Sequence, residues 1–385
     1  MIPISKPLLG EAEAEAARRV ILSGWITQGP EVAAFEREFA NCLNAPFAAA
    51  VSNCTTALHL ALLAAGVGPG DEVITVSHSF IATANSIRYC GALPVFVDIV
   101  PDTFNIDPER VETAITPRTR AIVCVHQMGM PCDLPRLVEI ARQHKIPLIE
   151  DAACAIGSEI EWQGNWERIG KPHGDAACFS FHPRKVISTG DGGMVTTRHK
   201  EWDEKIRLWR QHGMSVSDTV RHASQSVVFE QYLELGYNYR MTDIQAAVGR
   251  QQLERLFDIV RRRRELADSY RAALAEIPGI QAPFEPAWAR SNWQSYCATL
   301  GPDWRQQETM QLLLERGVAT RRGIMCAHRE PAYRNQPWRA AGSLKHSEWA
   351  QDQNLLLPLY PQMSSSEHST VTGELARALT RDCVC

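Results

Sequence analysis

The sequence has no long apolar run and no secretory pattern at its start, and both absences restrict where the protein works. No apolar stretch approaches the ~18 residues of a membrane span. The opening segment MIPISKPLLGEAEAEAARRV lacks a basic stretch followed by an apolar one, which is the pattern of a signal peptide. We therefore expect a cytoplasmic protein that does not act at a membrane.

Neither a strong excess of charge nor paired cysteines are present. The formal net charge is −4 over 385 residues, so there is no electrostatic reason to expect nucleic acid as a partner. The eleven cysteines are scattered and form no CxxC pair, which argues against a metal site. We interpret most of them as small buried side chains in a reducing compartment.

The composition is that of an ordinary globular protein, with 45% hydrophobic and 22% charged residues. Short β-rich runs alternate with helix-like segments through the first half of the chain. This alternation predicts a mostly parallel sheet with helices on both faces, and ligands bind such sheets at the carboxyl ends of the strands. The runs are EVITV, PVFVDI, AIVCVHQMG, IPLIEDAA, ACFSF and GGMVTT.

The alternation stops after Thr197, and a long helix is predicted from about Thr242, with Leu253, Leu256, Phe257 and Val260 on one face. The remaining residues mix strand-like and helix-like patterns. We therefore predict a large domain over residues 1–250 and a small α+β domain over 251–385 that begins with this long connecting helix.

The stretch FSFHPRKVISTGDGGM is the strongest candidate for chemistry. A short apolar run gives way to Lys185 and then to a glycine-rich loop, which indicates a strand that delivers a lysine to a turn. An amine that is partly desolvated and beside other cations can act as a nucleophile and form a Schiff base. The alternative is a surface lysine after an edge strand.

The segment AAAVSN followed by CTTALHLALLAAG predicts a strand, a polar turn and a helix. The first backbone N–H groups of such a helix are unpaired, so they can bind an anion with help from Ser52, Asn53, Thr55 and Thr56. Simple N-capping of the helix by Asn53 or Thr55 explains the same residues equally well.

Two further residues fall at predicted strand ends. Asp151 follows the apolar run around Leu148, where it either caps the next helix or pairs with a cation such as the ring nitrogen of a pyridine cofactor. Phe80, in SHSFIATAN, either belongs to the core or lies against a cofactor ring.

Taken together, the motifs resemble the DegT/DnrJ/StrS family of sugar aminotransferases, which depend on pyridoxal 5′-phosphate (PLP). The resemblance covers essentially the whole chain in the order of the family. It implies the fold type I architecture of PLP-dependent transferases, with a mostly parallel seven-stranded sheet, and a homodimer with shared active sites. The matching segments are WITQGPEVAAFEREFA, SNCTTALHLAL, SFIATANSI, GALPVFVDI, EDAACAIGS, FSFHPRKVISTGDGGM and GYNYRMTDIQAAVG.

By position, Lys185 resembles the lysine that binds the cofactor covalently, and Asp151 resembles the carboxylate on the pyridine nitrogen. Thr55 and Ser180 match phosphate-binding positions, and Phe80 matches the aromatic residue stacked on the ring. The remaining cofactor positions are Asn238, which reaches the cofactor of the partner subunit, and Cys54 and Cys154, which stand where many relatives have Gly and Gln or His.

The resemblance further implies that L-glutamate donates an amino group, with pyridoxamine phosphate (PMP) as the intermediate cofactor form. The acceptor is a nucleotide-linked keto sugar, with C4 favoured over C3 as the aminated carbon. For each arginine among the substrate candidates the alternative is a surface ion pair. The candidates are Ile26, Thr27, His126, Tyr239, Arg240, Arg321, Arg322 and His328.

The sequence disfavours three other functions. Sugar dehydratases of the same family have His in place of the lysine, so Lys185 argues against that branch. A non-catalytic regulatory protein on this fold predicts loss of the lysine, the aspartate or the phosphate contacts, and all are present. A Rossmann dehydrogenase is disfavoured because no GxGxxG follows the first strand.

Overall fold

The computed structural model describes residues 1–216, 221 and 224–379, and their strands form a large sheet of eight strands, a smaller one of four and a separate antiparallel one of three. The strands, numbered in chain order, are β1 (Phe47–Val51), β2 (Glu72–Val76), β3 (Leu93–Val97), β4 (Thr119–Val125), β5 (Leu148–Asp151), β6 (Glu159–Trp162), β7 (Asn165–Arg168), β8 (Ala176–Ser180), β9 (Gly193–Thr197), β10 (Ile280–Gln281), β11 (Ala289–Arg290), β12 (Tyr296–Leu300), β13 (Arg321–Arg322), β14 (Arg339–Ala340) and β15 (Asn354–Leu357). The three-stranded sheet has the order β11-β6-β7.

Helices cover both faces of the eight-stranded sheet and one side of the four-stranded sheet. Over the described residues they are α1 (Glu11–Ser23), α2 (Pro30–Leu43), α3 (Cys54–Ala64), α4 (Ala82–Tyr89), α5 (Pro108–Ala114), α6 (Leu134–His144), α7 (Lys200–Trp209), α8 (Asp243–Glu254), α9 (Leu256–Leu274), α10 (Gln306–Glu315), α11 (Lys345–Gln353) and α12 (Ser365–Ala378).

The larger sheet has eight strands in the order β1-β9-β8-β5-β4-β2-β3-β14. All neighbours from β8 to β14 are parallel, whereas β9 runs antiparallel to both β1 and β8. The mostly parallel sheet expected from the sequence is confirmed. It has one strand more than expected, because the two-residue β14 joins its edge from the C-terminal half of the chain.

Alternate residues of a strand enter opposite cores, which is why these strands are mostly apolar. In β8, the ring of Phe179 packs on Phe39 of α2, with centroids 5.2 Å apart. Its neighbour Cys178 lies in the other core together with Leu58 of α3. Both layers therefore fix β8, and with it the position at which the strand ends.

The four-stranded sheet is antiparallel, in the order β10-β12-β15-β13, and packs against α9, α10 and α12. The long helix predicted from Thr242 begins with a capping box at that residue, but it breaks at Arg255 into α8 and α9. Phe257 is 46% exposed, so the predicted apolar face does not include it. Within the described part of the chain, no helix is both long and apolar enough to cross a bilayer.

Each of the two predicted domains contributes a short segment to the packing of the other. Ile2 forms a parallel bridge with Val318, and its N–H donates to the carbonyl of Gly317 at 2.7 Å. In the other direction, β14 pairs with β3 at the edge of the large sheet. Residues on both sides of the predicted boundary at residue 250 therefore contribute to each packed unit.

Candidate active site

Several predicted residues meet at one edge of the large sheet. Strands β1 and β8 both run antiparallel to β9, so they share one direction with β5 and β2, and their carboxyl ends lie together. Asp151 is the last residue of β5 and Ser180 the last of β8. The start of α3 follows β1 at the same edge, as expected for a ligand site in an open α/β sheet.

Lys185 lies in the loop between β8 and β9. This loop is closed where Phe181 N–H donates to the Gly192 carbonyl at 2.9 Å, and it turns where Lys185 N–H donates to the His182 carbonyl at 2.8 Å. The Lys185 Nζ donates to Sγ of Cys154 at 3.0 Å. The amine is thereby directed into the site rather than to the surface, which excludes the surface-lysine alternative.

The neighbours of Lys185 differ from those expected. The sequence predicted nearby cations, but the groups that act on the amine are the Cys154 and Cys54 sulfurs and the Asp151 carboxylate. Burial lowers the pKa of the Lys185 ammonium, while these three groups raise it by more, so its net pKa is raised. In this arrangement the lysine is a proton-carrying group beside two thiols and a carboxylate.

The Asp151 carboxylate is 5% exposed and receives two hydrogen bonds. Thr83 Oγ1 donates to Oδ2 at 2.7 Å, and Ala153 N–H donates to Oδ1 at 3.2 Å. Burial nevertheless raises its pKa by more than these two hydrogen bonds and the nearby Lys185 and His126 lower it. A buried carboxylate in this state fits a cationic ring nitrogen as its partner.

The start of α3 combines the two interpretations drawn from the sequence. Asn53 is the N-cap: its side chain accepts from Thr56 N–H at 3.0 Å, and Thr56 Oγ1 lies 3.3 Å from Asn53 N. Thr55, half-buried, keeps its hydroxyl free of any described partner. A β-carbon on Gly193 would overlap the Asn53 carbonyl, so glycine lets β9 approach the helix start closely.

The two cysteines flank the amine in different ways. Cys54 is buried, and its Sγ donates to the Cys178 carbonyl at 3.5 Å. Burial raises the pKa of the Cys54 thiol well above its usual range, while the nearby Lys185 ammonium lowers it. Cys154 is partly exposed and accepts from Lys185. Ser180, at the end of β8, is 8% exposed.

Phe80 is 59% exposed, which rules out the core alternative for it. It follows β2, in a loop held by the C-terminal half of the chain. Ser79 N–H donates to the Met325 carbonyl at 3.1 Å, and Ser77 Oγ lies 2.6 Å from His328 Nδ1. The ring therefore stands free at the carboxyl edge of the sheet.

Asn238 is exposed, and its neighbours are anchored on the same subunit. Tyr237 and Tyr239 stack with centroids 4.9 Å apart, and Tyr239 Oη lies 3.2 Å from Nδ1 of His59 on α3. The Tyr239 carbonyl accepts from Ser52 N–H at 2.8 Å. The turn before α3 and the Asn238 segment are thus one structural unit.

The predicted substrate residues are dispersed. Ile26, Thr27 and Arg321 are exposed, and Arg240 is partly exposed. Arg322 pairs with Glu330 at 2.9 Å, as the surface ion-pair alternative anticipated. Of this set, His328 is tied directly to a strand end of the large sheet, through Ser77.

His126 is placed otherwise than predicted, because its ring is entirely buried. Its Nδ1 accepts from Cys132 N–H at 3.0 Å, and its Nε2 lies 3.1 Å from the Glu150 carboxylate. Both nitrogens are occupied inside the protein, so the side chain presents no atom to a ligand in this arrangement. Its contribution is to the packing between β4 and β5.

Sequence reasoning missed three residues that act on the site. Thr83 is in the first turn of α4, one helical turn after Phe80, and this spacing could have identified it as a partner for a group at the same edge. Asn292 and Gln294 contact the loops of Cys154 and Lys185 from distant sequence positions. No local sequence pattern predicts these two contacts.

Comparisons with known protein families and structures identify a family whose members are aminotransferases. The sequence model of the DegT/DnrJ/EryC1/StrS aminotransferase family matches residues 7–376. The chain belongs to this family. The resemblance of the motifs to this family is thereby confirmed. The aminotransferase activity and the fold type I architecture of PLP-dependent transferases, which the resemblance implied, are confirmed as well.

Similar members of the DegT/DnrJ/EryC1/StrS family come from several organisms. The spore coat polysaccharide biosynthesis protein SpsC of Bacillus subtilis (strain 168) is 39% identical, over 95% of this chain and 94% of that protein. The aminotransferase TlmJ from Streptoalloteichus hindustanus is 36% identical, with a TM-score of 0.89 over 98% of this chain and 99% of that one.

Solved structures of a further relative include cofactor forms. Spr1654 from Streptococcus pneumoniae, 27% identical, is known in a PMP form and a PLP form. The TM-scores are 0.91 for the PMP form, over 98% of this chain and 99% of that one, and 0.89 for the PLP form, over 98% of each.

Proposed function

We propose that the protein is a PLP-dependent aminotransferase that moves an amino group from L-glutamate to a nucleotide-linked keto sugar, with C4 favoured over C3. The observation that carries the proposal is the placement of the Lys185 amine against Cys154, on the turn that begins with the buried Asp151 carboxylate. We keep the cytoplasmic location expected from the sequence as part of this proposal.

The residues present fit the cofactor. Asp151 would hold the ring nitrogen, Thr55 and Ser180 the phosphate at the start of α3, and Phe80 one face of the ring. Cys54 and Cys154 would line the remaining space around the amine. When bound, PLP supplies an electron-accepting ring that makes the C–H next to the substrate nitrogen acidic.

Asp151 keeps a proton on the ring nitrogen only as an anion. Its pKa is raised in the cofactor-free protein by burial, and an adjacent cation lowers the pKa of a carboxyl group. Thr83 and Ala153 hold both carboxylate oxygens, so the charge is oriented before the cofactor arrives. This pre-orientation supports the proposed role.

Lys185 would be both the covalent anchor of the cofactor and the group that moves a proton at the substrate carbon. Its Nζ already lies within the site, and the Cys154 sulfur accepts its hydrogen bond. The alternative functions of a sugar dehydratase, with His in this position, and of a non-catalytic regulator both fit Lys185 and Asp151 less well.

A second copy of the chain would complete the site by contributing Asn238. The segment that precedes Asn238 exposes several large apolar side chains, which is unusual for the surface of a soluble monomer. Burial of these side chains against a partner would bring Asn238 towards the neighbouring phosphate site. The exposed residues are Val227, Phe229, Tyr232, Leu233 and Leu235.

The nucleotide-linked substrate requires cations for its pyrophosphate. Arg240 and Arg321 remain candidates together with the exposed Ile26 and Thr27, whereas His328 is held by Ser77 and Glu348. Tyr239 and Arg322 are held by His59 and Glu330, so either would have to exchange a partner to bind substrate. His126 would act only through Glu150 and Cys132.

The deciding experiment combines cofactor trapping with a substrate panel. Borohydride treatment of the protein with PLP should fix the cofactor on Lys185, as peptide mass spectrometry would show. Glutamate and a panel of nucleotide-linked keto sugars should then yield one amino sugar. Full transamination by Lys185→Ala would refute the assignment, and absence of product from every sugar would favour the regulatory alternative.

A further inference from the structure

A short segment from the C-terminal half of the chain contacts both loops that form the site. Residues 291–295, called here the bridging segment, lead into β12. Asn292 contacts the turn that follows Asp151, and Gln294 contacts the loop that carries Lys185. The bridging segment is therefore placed to set how these two loops lie relative to each other.

Asn292 is completely buried, and its amide is fully hydrogen-bonded. Nδ2 donates to the carbonyls of Cys154 at 2.7 Å and Ile156 at 2.8 Å, while Oδ1 accepts from Gln294 N–H at 2.8 Å. Its own backbone N–H donates to Ser158 Oγ at 3.0 Å. One side chain thus fixes the turn on which Cys154 meets the Lys185 amine.

Gln294 makes the corresponding contact on the other loop. Its Nε2 donates to the carbonyl of Arg184 at 2.9 Å, next to Lys185 in the chain. Since Gln294 N–H also donates to Asn292 Oδ1, the two amides form one continuous link from the Cys154 carbonyl to the Arg184 carbonyl. The two ends of this link lie at Cys154 and next to Lys185, the two residues whose Sγ and Nζ are 3.0 Å apart.

The bridging segment is itself held rigidly. Nη1 of the buried Arg263 donates to the carbonyls of Trp293 at 2.9 Å and Gln294 at 3.3 Å. Trp293 adopts a left-handed conformation, with φ of 50°. A β-carbon on Gly129 would overlap Asn292 Oδ1. Such a strained and tightly packed turn persists only where its surroundings determine it.

We propose that Asn292 and Gln294 are positioning residues that hold the Lys185 loop and the Asp151 turn at the separation needed for cofactor binding. The inference rests on the proposed function and names residues that support its central pair. Neither amide needs to touch substrate or cofactor, because each acts through a backbone carbonyl. Small displacements of catalytic groups reduce rates strongly, so this link is functionally important.

The chain offers a matched control for Asn292. Asn105 is also a buried asparagine, and its Nδ2 donates to two carbonyls, of Met130 at 3.1 Å and Pro131 at 2.7 Å. Its Oδ1 accepts from Gln127 N–H at 2.9 Å. It therefore makes the same number and kind of hydrogen bonds, but to a loop that does not carry Lys185 or Cys154.

The first measurement uses cofactor-free protein. In Asn292→Ala and Gln294→Met, hydrogen–deuterium exchange should be faster at residues 152–157 and 182–189, whereas Asn105→Ala should accelerate exchange mainly around residues 127–131. Unchanged exchange at both site loops in the first two variants would overturn the inference, whether or not the protein binds PLP.

The second measurement adds PLP. Asn292→Ala and Gln294→Met should weaken PLP binding by about tenfold or more, and they should shift the pH at which the absorbance of the bound cofactor changes. Asn105→Ala should keep the wild-type midpoint. An equal shift in Asn105→Ala, or none in the other two, contradicts positioning. Failure of wild type to fix PLP on Lys185 refutes the proposed function instead.

Discussion

Asp151 is a buried carboxylate at the end of β5 in the cofactor-free protein. Two hydrogen bonds orient it, yet burial dominates and raises its pKa. A raised carboxyl pKa favours folding below the pKa of the unfolded state, and that contribution is lost as the pH rises through the folded-state pKa. At neutral pH the ionised Asp151 therefore costs stability in the cofactor-free protein.

We predict that Asp151→Asn makes the cofactor-free protein more stable at neutral pH and less active. Thermal unfolding without PLP should shift upward at pH 7, and the gain should shrink towards acid pH. Glutamate half-reaction rates should fall by on the order of a hundredfold or more, since the ring nitrogen loses its anion. Unchanged half-reaction rates would remove Asp151 from this role.

The residues that the sequence analysis placed correctly at the sheet edge either end a strand or lie in the loop after one. Lys185 and Asp151 follow apolar runs whose direction is readable, so their edge was predictable. His126 also follows such a run, but only the structure shows that Glu150 and Cys132 take both ring nitrogens. Asn292 could not be predicted, because its partners are brought to it by tertiary packing.

At the scale of elements, α3 is joined to the Asn238 segment through a buried histidine. Burial lowers the pKa of His59 to about 4, and its Nδ1 lies 3.2 Å from the Tyr239 hydroxyl. A lowered histidine pKa gives a contribution to stability that is complete above about 6.5 and is lost as the pH falls through about 4. Acid therefore loosens this connection.

We predict that acid destabilises wild type more than His59→Phe, which keeps an aromatic ring but does not titrate. Between pH 7 and pH 5, the wild-type free energy of unfolding should fall further by on the order of 1–2 kcal/mol. Urea unfolding at both pH values measures this difference. Equal losses in the two proteins would show that His59 does not contribute to the acid sensitivity.

A second connection between elements is the ion-pair cluster around Glu36 on α2. Glu36 is 6% exposed and accepts from Arg207 Nη1 at 2.6 Å, from Ala50 N–H at 2.9 Å and from the buried Arg210. The cluster joins α2 to β1 and α7. Removal of the anion alone would leave the buried guanidinium of Arg210 with the Ala50 carbonyl but without its anionic partner.

We predict that Glu36→Gln lowers the free energy of unfolding by roughly 3–5 kcal/mol. Glu112→Gln is the control, because its pair with Arg136 at 2.9 Å is solvent-exposed and should contribute less than about 1 kcal/mol. Chemical denaturation of both variants distinguishes the two cases. Similar small losses would mean that the buried cluster rearranges around the amide.

For the whole molecule, the exposed apolar segment before Asn238 predicts assembly. Phe229 and Leu235 are 88% and 87% exposed, values that are costly for a monomer in water. Association through this face would also place Asn238 at the neighbouring site. Assembly and cofactor binding should therefore be lost together.

We predict that wild type sediments as a dimer and that the double variant Phe229→Asp with Leu235→Asp is monomeric and retains PLP poorly. Leu314→Asp is the control, because Leu314 is 45% exposed on α10, in the C-terminal half of the chain. Sedimentation and cofactor absorbance provide the two measurements. A monomeric variant with wild-type PLP affinity would show that Asn238 does not act across the subunits.

The overall architecture was readable from the sequence because repeated strand and helix patterns extend over many residues. The two-residue β14 carries no such pattern, so the eighth strand could not be expected. The break between α8 and α9 was also hidden, since the apolar spacing continues through Arg255. Both departures arise from tertiary packing rather than from local preference.

The late return of β14 to the large sheet matters for a chain that is still emerging from the ribosome. Until Arg339 and Ala340 have been translated, β3 has an open edge, and the buried Glu72 lacks the guanidinium of Arg339, which donates to it at 2.7 Å. An open parallel edge can recruit other strands. Nascent chains of this protein should therefore need shielding until residues 339 and 340 have been synthesised.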